Sequence, residues 1–200
     1  FRYDDLKENA IYIAGEGDGS FDNSDYILFY AKGPHDWVVN TATNSIKHRQ
    51  NIYSDKAYYF ITVNNTDGKR IAQKTENTAS PATSITVFDD YIFHEKEVKN
   101  ILAVGTQWFF GEDFNVQNTQ EFKIPFPNAV ANEDINIRVR GVSNSVVSSS
   151  MDVKINGQDL FTINYPAINP SSLTRAYAVE KNGTVVNNSE NIAISITYNN

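Results

Sequence analysis

Apolar and polar positions alternate most regularly in the second half of the 200-residue chain. Phe122, Ile124 and Phe126 alternate with polar residues up to Pro127, as do Ile135, Ile137 and Val139 with Asn136, Arg138 and Arg140. Met151, Val153 and Ile155 lead into Asn156-Gly157, the favoured central pair of a two-residue hairpin, and Phe161, Ile163 and Tyr165 lead out of it. Two more strands are expected at 176–180 and 192–198, joined across a Lys181-Asn182-Gly183 turn. Strands at this spacing predict a jelly-roll-like antiparallel β sandwich over 89–200. The last strand stops at Asn199-Asn200, and a closing strand is expected beyond it.

The first half reads as a small β domain over 1–88. Ile11-Tyr12-Ile13 and Tyr26-Ile27-Leu28-Phe29-Tyr30 flank an acidic, glycine-bearing turn and predict a hairpin; the second run is apolar throughout, which suits a strand buried on both faces. An edge strand at 37–40 followed by a polar loop is expected next, then a strand at 57–63 closed by a turn at 64–69. Residues 74–84 are polar and contain a proline, as a long loop or linker would. Strand character resumes at 85–88, and the domain boundary is placed near Phe88–Asp90. One helix is predicted, over 94–103, where Val98, Ile101 and Leu102 share a face.

Composition narrows the partners more than it narrows the fold. A hydrophobic fraction of 40% against 20% charged residues belongs to a folded globular chain, so a real core is expected. The net charge of -7 argues against nucleic-acid backbones and anionic membranes as partners, since both need a basic footprint. No apolar run reaches the ~20 residues of a membrane-spanning helix. The chain starts at Phe1, which reads as a mature product or a piece of a longer protein, so nothing here argues for the cytoplasm.

Candidate chemistry is sparse. Cysteine is absent, which removes disulfides, thiolate metal sites and a cysteine nucleophile. The three histidines, His35, His48 and His94, show no metal-ligand spacing, and no serine sits in a nucleophile-elbow motif. No cofactor is implied. Glu16, Asp18, Ser20, Asp22 and Asp25 place oxygen ligands at alternate positions, as calcium loops do, but without the glycine and bidentate glutamate of an EF-hand; a solvated turn is the plainer reading. Trp37 and Trp108, the latter beside Phe109 and Phe110, are candidates for a sugar-stacking platform, with core packing as the plainer role. Arg138 and Arg140 share a strand face and suit an anion clamp, although ordinary exposed alternation accounts for them.

A family resemblance adds what pattern does not. Asn9-Ala10-Ile11-Tyr12, Gly15-Glu16, Asp18-Gly19, Phe21-Asp22, Asp25 to Tyr30 and Gly33-Pro34-His35-Asp36-Trp37 resemble the segment that precedes the catalytic domain in PorU-type sortases. These belong to the type IX secretion system of Bacteroidetes and are gingipain-like family C25 cysteine peptidases. Tyr53-Ser54-Asp55, Tyr58-Tyr59-Phe60, Gly68 to Ile71, Phe88 to Tyr91, His94-Glu95, Trp108-Phe109 and Gly111-Glu112 follow in the same order. The resemblance covers residues 9 to about 114; beyond Phe114 only the strand pattern and the Asn156-Gly157 hairpin agree.

The resemblance implies an extracellular, outer-membrane-associated enzyme that trims the targeting domain from secreted cargo. It implies a non-catalytic role for these residues, since the family's Cys and His lie in a peptidase domain of which there is no sign here. The implied partners are that downstream peptidase domain, cargo or other secretion components. A free-standing extracellular module that binds carbohydrate or protein is the alternative.

Overall fold

Every strand of this all-β chain is antiparallel to its ladder partner, and contacts separate the residues into two compact units, Phe1–Phe88 and Asp89–Asn200. The structure, a computed structural model, describes residues 6–43, 45–96, 98–102, 108–109 and 111–200. Among these the sole helical element is a 3-10 turn, Glu16–Asp18.

The first unit holds two hairpins. Strand β1 (Ile11–Ala14) pairs with β2 (Tyr26–Phe29), with Tyr12 opposite Leu28 and Ala14 opposite Tyr26. Gly15 and Gly19 bracket the connecting 3-10 turn at φ 90° and 78°, backbone that side-chain-bearing residues rarely adopt. On its other edge β1 gains a short parallel contact: Ile11 N–H donates to the Lys69 carbonyl and the Ile11 carbonyl accepts from Ile71 N–H, both at 2.9 Å. Strand β3 (Asp36–Asn40) pairs with β4 (Ser45–Arg49), around a turn in which Asn40 Oδ1 accepts from Ala42 and Thr43 N–H.

Three expectations change here. Residues 45–49, expected as loop, form β4, because a ladder partner rather than apolar alternation creates that strand. Residues 57–63 and 85–88 are not among the strands, and side chains such as Ile61, Val63 and Phe88 stand exposed. The apolar run of β2 is not buried on both faces: it pairs with β1 alone, and all four of its residues are exposed. Among the described residues of this unit the one buried side chain is His48.

The second unit is a sandwich. Strands β5 (Thr119–Pro125), β10 (Asn191–Asn199), β7 (Ser149–Ile155) and β8 (Gln158–Tyr165) form one sheet in that order, and β6 (Asp134–Ser143) with β9 (Tyr177–Val186) forms the other. Alternation supplies the core: Met151, Val153, Ile155, Ile163, Tyr165, Ile192 and Ile196 face Ile137 of the smaller sheet. Between β7 and β8, Asn156 (φ 50°) and Gly157 (φ 81°) make the expected tight turn. The Asn156 side chain adds a second function: its Oδ1 accepts from Ala193 N–H at 2.9 Å while its own N–H donates to the Ala193 carbonyl at 2.8 Å. The hairpin tip is thereby pinned to β10.

Two further expectations are corrected. Lys181-Asn182-Gly183 is no turn; β9 runs straight through it, with Gly183 opposite Ile137. Gly183 serves packing instead, since a Cβ there would sit 2.7 Å from Phe161 Cδ1. The chain reverses later, around Asn187, which is 2% exposed and fully bonded: Asn132 N–H donates to its carbonyl, its N–H to the Glu133 carbonyl and its Nδ2 to the Val130 carbonyl, and its Oδ1 accepts from Ser189 N–H. The predicted helix over 94–103 is also absent among its described residues. Lys99 and Phe109 exchange two backbone bonds of 2.8 Å, and Val98, expected on a buried helix face, is exposed; Ala103 lies outside the described residues.

At Gly141 the facing side chains leave no room for a side chain, since a Cβ there would lie 2.2 Å from Tyr165 Oη and 2.9 Å from Met151 Sδ. Gly141→Ala is expected to cost about 1–3 kcal/mol through overpacking. In a Tyr165→Phe background, which removes the obstructing oxygen, the same substitution should cost clearly less. Denaturant melts of the four variants check this; equal costs in both backgrounds would refute the contact.

Candidate functional site

The acidic turn satisfies itself. Asp18 Oδ1 accepts from Ser20 N–H and Oγ, Asp22 Oδ1 from Ser24 N–H and Oγ, and Asp25 Oδ2 from Asp22 N–H. These are the short side-chain-to-backbone bonds by which Asp holds turns. The Ser24 bonds, the backbone one foremost, hold the Asp22 carboxyl below its ordinary range. Glu16 points elsewhere, onto Arg70 Nε at 2.7 Å. The candidate calcium ligands therefore have donors from their own chain, and among the described residues no three His, Asp or Glu side chains gather to hold a metal.

The two tryptophans lie in different units. Trp37, opposite His48 across β3 and β4, is 40% exposed and meets the His48 ring edge-on at 5.1 Å. His35 joins the group, 6.0 Å from His48, and its Nδ1 accepts from Asn51 N–H. Two histidines that the sequence separates thus share one hairpin. The Asp36 carboxyl beside them is held below its ordinary range, chiefly by a hydrogen bond from Lys32, and Arg49 binds its other oxygen at 3.0 Å.

Trp108 is half-buried, and its neighbour Phe109 is buried under the Arg140 guanidinium, 4.6 Å from the ring centroid. Arg140 is thus engaged in a cation–π contact. Phe110 lies outside the described residues. Nearby, the His94 ring lies tilted against Phe122 at 5.2 Å, and His94 shares the Glu112 carboxylate with Lys96.

Two features escaped the sequence reading. In the second unit, a cleft of about 440 Å³ is floored by Ile155, Leu160 and Val185 and rimmed by Asn132, Gln158, Asp159, Thr184 and Asn188. In the first, the β1–β2 register puts Tyr12, Leu28 and Tyr26 on one face, with Tyr30 at the next alternate position; their exposures are 40%, 54%, 51% and 80%. The Tyr12 and Tyr26 rings are 6.4 Å apart. The opposite face, Ile11, Ile13, Ile27 and Phe29, is better covered, with Tyr59 against Phe29 at 5.5 Å. The face emerges only from the register of β1 on β2; the sequence shows an undivided apolar run.

None of these groupings joins a nucleophile to a base and its orienting partner. What they present is an exposed, tyrosine-bearing sheet face in one unit and an open, polar-lined cleft in the other.

The fold and these surfaces define an all-β chain of two units, the second an antiparallel sandwich. No protein-family model matches the chain, and no curated protein matches it. A solved structure does share its fold: the crystal structure of dimeric latent PorU from Porphyromonas gingivalis aligns at a TM-score of 0.68 with 17% identity, covering 96% of this chain and 18% of that one. The present chain thus has the fold of a portion of PorU and spans less than a fifth of its length. No described helix is long and apolar enough to cross a membrane.

Tyr165 and Tyr198 give this sandwich a defined alkaline response. Burial, with a smaller contribution from nearby Tyr198, pushes the Tyr165 phenol well above its ordinary value of 10.0. For Tyr198 burial acts upward as well, but hydrogen bonds from Ser143, Ser149 and Ser145 together outweigh it and lower the value. A raised pKa means that the contribution of Tyr165 is complete below pH 10 and lost as pH rises past it; the lowered Tyr198 opposes this only weakly, being more exposed. The melting temperature should therefore fall as the pH rises above about 10, and fall less in Tyr165→Phe. Identical pH profiles for the two proteins would contradict the assignment.

Proposed function

We propose that these 200 residues are a non-catalytic region of a surface C25-type cysteine peptidase related to the type IX secretion sortases, and that they serve in docking. The observation that carries this reading is the shared fold with PorU over 96% of the chain. Two readings of the sequence agree with it: the resemblance noted from Asn9 to Glu112, and the absence of cysteine, which leaves the nucleophile of such an enzyme to residues elsewhere.

In this reading the chain resides at the cell surface, and its partners are the peptidase domain of the same polypeptide, secreted cargo or components of the secretion machinery. The acidic balance of -7 fits contact with proteins and disfavours nucleic acid. No cofactor is required.

The decisive test is the reading frame after Asn200. An open frame running into an α/β domain with a catalytic Cys and His is expected. A stop codon shortly after Asn200 would overturn the reading and turn attention to glycan binding at Trp37 and Trp108.

A further inference from the structure

We propose that His35 is a proton-operated clasp on the β3–β4 hairpin, so that the first unit loosens there as the pH falls through the range in which imidazole takes up a proton, while the sandwich does not. The inference goes beyond the proposed function and does not rest on it.

The clasp is a bond that only a neutral ring makes. His35 stands one residue before β3 and Asn51 two residues after β4, and His35 Nδ1 accepts from Asn51 N–H at 3.1 Å in a half-buried setting. A backbone N–H can only donate, so Nδ1 must present its lone pair and the ring proton sits on Nε2. Protonated imidazole has two donors and no acceptor. The bond therefore ends when the ring is charged, and an Nδ1–H is then set against Asn51 N–H.

What the bond holds is the exit of the chain from β4. Residues 50–56 belong to no strand, and Asn51 Oδ1 in turn accepts from Tyr53 N–H at 2.9 Å, so the His35 bond fixes the start of a turn. Further on, Tyr59 Oη donates to the Lys32 carbonyl at 2.5 Å. The side chains of His35 and Tyr59 thus lace residues 51–59 to 32–35, and imidazole, unlike a phenol, takes up a proton near neutrality.

The hairpin itself offers that proton no counter-charge. Alternation puts His35, Trp37 and His48 on one face, with 6.0 Å between the histidine ring centroids and 5.1 Å between those of Trp37 and His48. At the register positions of this face, 35, 37, 39, 46 and 48, there is no carboxylate. Asp36 lies on the opposite face and already holds Lys32 at 2.9 Å and Arg49 at 3.0 Å, while Lys47 adds a further cation to that side. β3 and β4 pack chiefly on one another. The third histidine responds with the opposite sign: His94, in the second unit, lies 3.2 Å from a Glu112 oxygen, so a proton there adds an ion pair.

The test is nuclear magnetic resonance of the 15N-labelled 200-residue chain between about pH 8 and 5. Hydrogen-exchange protection at the Asn51 amide, corrected for the intrinsic pH dependence of exchange, should fall about fivefold in step with proton uptake by the His35 ring, roughly what one net hydrogen bond sustains. Amides of β7 and β8 should keep their protection throughout, which controls for folding. His35→Asn, whose Oδ1 takes the place of Nδ1 without titrating, should leave Asn51 protected at both ends of the range, and His35→Ala should leave it unprotected at both. Constant protection at Asn51 in the native chain would overturn the proposal. So would a pH-dependent loss that persists in His35→Asn, which would trace the effect to His48, or a loss shared by β7 and β8, which would mean global acid unfolding.

Discussion

The second unit depends on how closely its two sheets approach one another, and two glycines set that distance. Gly141 on β6 and Gly183 on β9 leave room for Tyr165, Met151, Phe161 and Leu160 to reach the opposite backbone. Sheets that approach to this degree exclude water from the Ile137, Val153, Ile163 and Ile196 side chains. The buried apolar contact, worth roughly 1.5–3 kcal/mol per fully covered side chain, then supports the ladders on either side. A glycine in a strand normally weakens it; here the loss in each strand is offset by the layer it admits.

The first unit is built on a different balance. Its hairpins hold by ladder bonds, turn caps and ion pairs such as Arg49–Asp36, with hardly any side chain withdrawn from water. Exposed ion pairs contribute little, commonly under about 1 kcal/mol, and a two-stranded ribbon is marginal alone. One chain thus joins a cored sandwich to a pair of hairpins whose side chains stay largely in water.

Much of the sandwich was legible in the sequence because period-2 alternation and Asn156-Gly157 are local signals with local causes. The reading failed where the cause was distant. Lys181-Asn182-Gly183 has turn composition, yet Gly183 answers to Phe161 on the other sheet. β4 is polar and becomes a strand only because β3 lies beside it. Likewise the stretch at 98–102 had helical spacing, and Phe109 draws Lys99 into a bridge instead. For the candidate site, the spacing of Glu16, Asp18, Asp22 and Asp25 was visible, but their donors were not: Arg70 is far along the chain, and the serines compete for the same oxygens. The tyrosine face needed the register of β1 on β2, which a continuous apolar run does not disclose.

Strand order has a consequence for the time course of folding. β7 and β8 are joined by two residues and can pair as soon as both have emerged, but β10 sits between β5 and β7. Its register joins Ile192 to Ile124 and Ile194 to Ile155. Until residues 191–199 are available, β5 has no neighbour in its sheet and the hairpin tip at Asn156 has nothing to clasp. Loop closure over such separations slows folding. A chain threaded out N-terminus first would therefore carry its sandwich as two separate pieces, a β5 arm and a β7–β8 hairpin, and gain a continuous sheet in a single late step.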